Sequence, residues 1–173
     1  MPDLMKIVLI SKPSYTLNEH QALISLFEEG LEYYHIRKPK YSLNEIIRYI
    51  ELIPYIYRNR LVLHSHYEIA AKFDVKGIHF QDKRENLKTK LFDYFTPQNG
   101  NKSNKTFDNM HKSCSIHSLH KLENCKDKYD YVFLSPVFDS ISKRKYKGIF
   151  KNKEHLKKSL ALTKQKVISL GGI

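Results

Sequence analysis

One rhythm limits what this chain can become. Seven short apolar runs recur along its 173 residues, and amphipathic stretches separate most of them. Lys6–Ser11 (KIVLIS) reads as a buried strand, and Leu17–Gly30 as a helix. In that helix Leu17, Leu23, Ile24 and Phe27 stand at helical spacing and Gly30 is the stop. Glu32–Arg37 reads as a second strand, which Pro39 prevents from running on. Ser42 then caps a helix from Leu43 to Ile53, with Glu45 completing a capping box. Arg60–His64 and Lys76–Phe80 are further strands, with a helix around Tyr67–Phe73 between them.

Residues 81–111 break the rhythm. Asn86–Phe95 has the pattern of one helix, and Thr96–Asn109 is polar, Asn/Lys-rich and contains Asn-Gly, so it reads as a mobile loop. The alternation then resumes with strand Ser113–His117, helix Leu119–Cys125, strand Asp130–Val137, helix Lys153–Thr163 and strand Lys166–Leu170. Repeated βα units with short apolar strands predict an α/β fold with a parallel sheet covered by helices. An open doubly wound sheet and a TIM (β/α)8 barrel both satisfy this pattern. A full barrel needs eight strands and roughly 200 residues or more, whereas this sequence stops after the seventh.

Composition narrows the classes. No run approaches the roughly 20 apolar residues of a membrane helix, so no membrane partner is expected. Cys114 and Cys125 lie outside any CxxC spacing. That excludes a disulfide framework and a Cys-rich zinc site, and it fits a reducing, cytoplasmic setting. The charge is lopsided: 30 Lys and Arg against 18 Asp and Glu give +12. Such a balance favours nucleic acid or a phosphorylated small molecule as partner, or simply a lysine-rich solvated surface. No RNP, helix-turn-helix or zinc-finger pattern converts the charge into nucleic-acid recognition, so nucleic acid is not the expected partner.

In parallel α/β folds the chemistry gathers at the carboxyl ends of the strands. Here those ends carry His35-Ile36-Arg37, His64, His79, His117, the segment Pro136–Lys143, and Gly171-Gly172. A period of two places His35 and Arg37 on one face. A strand-end Arg beside Lys38 suits a phosphate. His79 reads first as a packed core histidine. His64-Ser65-His66 would seed a metal site, but no Cys, Asp or Glu is spaced to finish one, so no metal is expected. His117 stands where strand becomes helix, and a histidine there is open to acid/base work. Ser140, Ser142 and Lys143 offer two hydroxyls and an ammonium to phosphate oxygens. Gly171 and Gly172 allow backbone N–H groups close to a phosphate.

Taken in order, these segments resemble the family of thiamine-phosphate synthase and its relative TenI, the thiazole tautomerase. The resemblance runs from Lys6 to Ile173. It is carried by His35-Ile36-Arg37, Leu61–Ala70, Gly77-Ile78-His79-Phe80, Ser113–Ser118, Tyr129–Lys143 and Leu170–Ile173. It implies a single-domain TIM barrel over residues 1–173, cut after its seventh strand, with thiazole phosphate as the small-molecule partner. By this resemblance Gly171 and Gly172 hold the phosphate. Lys143, Ser140 and Ser142 meet a pyrophosphate or a carboxylate. His35, Arg37 and His79 complete the substrate site.

The departures from the synthase pattern are equally specific. An Asn-Asp pair expected after the third strand is His64-Ser65, and the lysine expected after the second strand is Pro39. The resemblance assigns to Mg²⁺ the aspartate of that pair and a second one after Gly77–Phe80, where this chain has Asp82 and Glu85 but neither at the family position, so Mg²⁺ is expected only for the synthase activity. TenI-type tautomerisation needs neither metal nor another cofactor, and His117 aligns with the histidine that carries the proton. The expectation is therefore TenI-like tautomerisation of a thiazole carboxylate phosphate. The alternatives are synthase coupling of hydroxymethylpyrimidine pyrophosphate to thiazole phosphate, and a non-catalytic thiazole phosphate-binding or regulatory protein. A chain ending at Ile173 is either a fragment or a short product that closes its open sheet edge by association, as a homo-oligomer.

Overall fold

The computed structural model describes residues 7–80, 109–125, 129–139, 148 and 153–171. Seven strands are present: β1 Val8–Ile10, β2 Tyr33–Ile36, β3 Leu61–Leu63, β4 Gly77–Phe80, β5 His111–Ile116, β6 Tyr131–Leu134 and β7 Val167–Ser169. Their order in the sheet is their order in the chain. The pairings β1–β2, β2–β3, β3–β4, β5–β6 and β6–β7 are all parallel. A doubly wound sheet reverses its strand order at a switch point; sequential parallel strands are the barrel arrangement. Of the two α/β architectures the rhythm allowed, the barrel kind is therefore the one present. Among the described residues no helix is long and apolar enough to cross a membrane.

The chain divides into two compact units. The first comprises Met1–His79 and Asn86–Met110, the second Phe80–Glu85 and His111–Ile173. In the first unit, helix α1 (Glu19–Glu28) buries Leu23 and Phe27. Gly30 follows it at φ +97, a left-handed conformation that only glycine adopts at low cost. The Arg60 guanidinium donates to the carbonyls of Phe27 (2.9 Å) and Leu31 (3.2 Å), which satisfies acceptors at the end of α1. Helix α2 (Leu43–Glu51) begins with the expected capping box. The Glu45 N–H donates to the Ser42 hydroxyl, and the Ser42 N–H donates to the Glu45 carboxylate at 2.8 Å. Ile46, Tyr49 and Ile50 form its buried face. Strand β3 is buried at all three positions, as a central parallel strand should be.

Two local expectations change. The helix expected from Leu43 to Ile53 ends at Glu51, and a single-turn helix α3 (Tyr55–Arg58) that the sequence reading lacked follows, with Pro54 as its N-cap. Proline suits the start of a helix, where its missing N–H costs nothing. The helix expected around Tyr67–Phe73 is a 3₁₀ turn over Tyr67–Ile69, entered through His66 at φ 53. The helix expected over Asn86–Phe95 and all but the last residue of the loop expected over Thr96–Asn109 lie outside the described residues.

In the second unit, helix α4 (Leu119–Glu123) is capped by Ser118, whose side chain accepts from the Lys121 N–H. Helix α5 is Lys153–Leu162. Its buried Ser159 donates to the Glu123 carboxylate at 2.6 Å, linking α5 to the end of α4. Ile116, Leu122, Val132, Phe133 and Leu134 form the core of this unit.

Candidate functional site

Each unit presents one group of chemistry-bearing residues at its strand ends. In the first unit, strands β2, β3 and β4 deliver three histidines. The register pairs Ile36 with Leu63 and Leu63 with Ile78. His64 and His79 are therefore neighbours one residue further on, and their rings stack with centroids 4.1 Å apart. His35 lies below them on β2, with its Nδ1 2.9 Å from His64 Nε2 in a hydrogen bond. All three are buried: His35 is 0%, His64 6% and His79 1% exposed. One hydroxyl ties the group together, because Tyr67 donates to the carbonyls of His64 (3.1 Å) and His79 (2.7 Å).

Burial makes a charged imidazole costly. For His35 it is the larger cause, with the His79 charge second, and together they hold the ring far below the ordinary histidine range. Burial comes first for His64 too, followed by the charges of His79, His35 and Arg37. His79 is pushed down to about 3 by burial and then by Arg37. At neutral pH the cluster is three neutral rings.

Arg37 is the first residue past β2, and it is exposed. Its backbone is fixed, since the Arg37 N–H donates to the Ser11 hydroxyl at 2.8 Å. Lys38 behaves differently from the sequence reading. Its ammonium turns inward, 2.8 Å from both Glu19 oxygens and 2.9 Å from the Ser14 carbonyl, with a side chain 0% exposed. The Tyr34 and Tyr49 hydroxyls are 2.7 Å apart and each lies 3.0 Å from Glu19 Oε1. Lys38 is thus a structural cation committed to Glu19, and Arg37 alone of the pair faces solvent. Sequence reasoning missed this network because its members are spread over residues 14–49. Glu19 in the first turn of a helix is no signal of it.

Among the described residues the donor set at these strand ends does not fit Mg²⁺. That ion asks for oxygen ligands in near-octahedral array. The position expected to carry its aspartate is Ser65, and the neighbouring side chains at the ends of β2, β3 and β4 are imidazoles. His66, grouped with His64 in the sequence reading, is not part of the cluster. Its Nε2 donates to the Tyr41 carbonyl at 3.0 Å and its Nδ1 lies 3.4 Å from Glu68. Asp82 and Glu85 lie outside the described residues.

In the second unit, His117 directly follows β5 and precedes the Ser118 cap, and it is exposed. Its Nδ1 is 2.7 Å from the Ser135 carbonyl oxygen, just past the end of β6. A carbonyl can only accept, so Nδ1 carries the proton. In the neutral ring Nε2 then holds the lone pair, and the hydrogen bond sets which nitrogen is the base. The Ser135 hydroxyl lies 3.4 Å from the same Nδ1.

The β6 end continues through a cis Ser135–Pro136 bond. It is bound to the end of β7: the Val137 N–H donates to the Leu170 carbonyl and the Phe138 N–H to Gly171, each at 3.1 Å. Gly171 has φ +98, and a Cβ there would meet the Cα and Cβ of Pro136 at 3.2 Å. Glycine is required on both counts. Gly148 is equally confined, because a Cβ would lie 2.9 Å from the Phe138 backbone. Its N–H donates to the Asp139 carboxylate at 2.6 Å. Of the other expected site residues, Ser140, Ser142, Lys143 and Gly172 lie outside the described residues.

Sequential parallel strands with histidines at their carboxyl ends are the arrangement of a (β/α)-barrel scaffold. No family model matches the sequence, and no curated protein matches it. Among solved structures, the chain is similar to thiamine phosphate pyrophosphorylase from Bacteroides thetaiotaomicron. The two share 30% identity over 98% of this chain and 73% of that one, with a TM-score of 0.69. Thiamine phosphate pyrophosphorylase from Pyrococcus furiosus shares the fold, with TM-score 0.69 and 17% identity over 97% of this chain and 75% of that one. The chain belongs to the thiamine phosphate pyrophosphorylase family.

Proposed function

We propose that this protein acts in thiamine biosynthesis on a thiazole phosphate, and that its reaction is a TenI-type tautomerisation of a thiazole carboxylate phosphate. The observation that carries the proposal is the 2.7 Å hydrogen bond from His117 Nδ1 to the Ser135 carbonyl. It leaves Nε2 of an exposed strand-end histidine as the basic atom. In the reaction the C–H bond of the tetrahedral ring carbon breaks and its proton moves to Nε2. The electron pair of that bond enters the ring. The exocyclic double bond opens toward its outer carbon, which takes a proton back from the imidazolium. The ring becomes aromatic, and the enzyme ends with the proton count it began with. Gly171, held in its left-handed conformation against Pro136, contributes backbone near the phosphate.

A second reading is favoured by one observation, the name of the relative from Bacteroides thetaiotaomicron: thiamine phosphate pyrophosphorylase, at 30% identity. In that reading the chain joins hydroxymethylpyrimidine pyrophosphate to thiazole phosphate. Departure of pyrophosphate calls for charge neutralisation by metal and cations. Ser65 and Pro39, which stand where an aspartate and a lysine are expected, weigh against it. Two assays on the full chain separate the readings. Tautomerisation predicts the ultraviolet change of ring aromatisation at a rate unchanged by added Mg²⁺. Mg²⁺-dependent release of pyrophosphate, with no aromatisation of the isolated thiazole, would replace it with the coupling reaction.

A further inference from the structure

We propose that His35, His64 and His79 form a binding site for a divalent transition-metal ion of the zinc class. One ligand atom from each histidine lies within 4.8 Å of those of the other two, and all three residues are buried. On a tetrahedral zinc ion, with Zn–N bonds of about 2.0–2.1 Å, adjacent nitrogens stand roughly 3.3 Å apart. His35 Nδ1 and His64 Nε2, at 2.9 Å, are already inside that spacing. The remaining approach, from 4.8 Å at most to roughly 3.3 Å, is about 1.5 Å at most and is within reach of ring rotation. The backbones need not move: adjacent parallel strands hold them in register, and Tyr67 ties the carbonyls of His64 and His79.

The choice of ion follows from the donors. Three imidazoles suit zinc, copper, nickel or cobalt, whereas magnesium and calcium prefer oxygen. All three rings are buried, and each neutral imidazole has one nitrogen that carries a lone pair and can serve as the ligand atom. The proton shared between His35 and His64 moves to the far nitrogen of its ring as the ion enters, and no co-reactant is needed. Among the described residues three ligands are offered, and a water or an anion can fill a fourth position. The positive charge of Arg37 disfavours a bare cation and favours an anion in that position. The ion is read by its own spectroscopy, apart from the reaction proposed for His117.

The test uses the full chain, stripped with a chelator and titrated with Co²⁺, whose visible bands report nitrogen ligation. The expected result is one Co²⁺ per chain, displaced by an equivalent of Zn²⁺ and not by excess Mg²⁺. His64→Asn and His79→Asn should each weaken binding by at least ~10²-fold, the upper end of what removing even an outer-sphere partner costs. His66→Asn, one of the histidines outside the cluster, should leave binding unchanged. X-ray absorption of the zinc-loaded wild type reads the ligand set without any variant, and should show three imidazole nitrogens near ~2.0–2.1 Å. Absence of the cobalt bands overturns the site. So do bands of undiminished strength in folded His64→Asn, or a zinc ligand set made of oxygen.

Discussion

Lys38 and Glu19 form a 2.8 Å ion pair in which the lysine side chain has no solvent exposure and the glutamate side chain is 12% exposed. The pair joins the residue after Arg37 to the first turn of α1, and the Tyr34 and Tyr49 hydroxyls surround the same carboxylate. Removing one partner strands the other charge. Lys38→Met should therefore destabilise the protein by ~3–5 kcal/mol. For a chain of this size that lowers Tm by on the order of 10 °C. Replacing both partners with apolar residues should recover part of the loss, because a buried pair is weak in net stabilisation. Thermal melts of the single and double variants read this directly.

The same network predicts how stability varies with pH. Burial raises the Glu19 carboxyl, but hydrogen bonds from Lys38, Tyr34 and Tyr49, with the Lys38 charge, outweigh it and bring the carboxyl below its ordinary value. Its contribution is present above the unfolded carboxyl pKa and is lost as pH falls through the folded one. Tyr34 and Tyr49 shift the other way. Burial is the main cause of both increases, and the Glu19 charge adds to both. Their contribution is complete below the unfolded phenol pKa of about 10 and is lost as pH rises beyond it. Alkaline titration of tyrosinate absorbance should therefore show a component that appears only with unfolding. Tyr34→Phe should diminish that component.

Ser42 and Glu45 make a complete capping box at the start of α2. Ser42→Ala should cost ~1 kcal/mol, read as a fall in Tm of roughly 2–4 °C. Ser42→Gly should cost only a few tenths of that. An unchanged Tm in Ser42→Ala would show that tertiary packing alone holds α2.

Much of this organisation was legible in the residues, and the reasons are local. The apolar runs around Val8, Tyr34, Val62 and Ile78 marked strands because each is short, continuous and bounded by turn residues. Ser42 and Glu45 announced a helix start because a capping box is encoded in four residues. Strand order was not legible, since a βα rhythm fits both a doubly wound sheet and a barrel until the register is known. The single-turn helix Tyr55–Arg58 was hidden by Pro54, which marks an end as often as a beginning. Lys38 was counted beside Arg37 as suiting a phosphate because nothing in the neighbouring residues reveals that Glu19 meets it. The three histidines were each visible at a strand end. Their meeting depends on the register of three strands, and none of the spacings 35, 64 and 79 encodes it.

The central claim is that His117 carries the proton of a thiazole tautomerisation. Its most direct measurement is the single-turnover rate of ring aromatisation by wild type and His117→Ala, with binding of the thiazole phosphate followed separately. A positioned acid/base group is worth ~10²–10⁴-fold. The account predicts that His117→Ala lowers the chemical step by at least ~10² while binding of the phosphate stays nearly intact. An aromatisation rate in His117→Ala close to that of the wild type would contradict it.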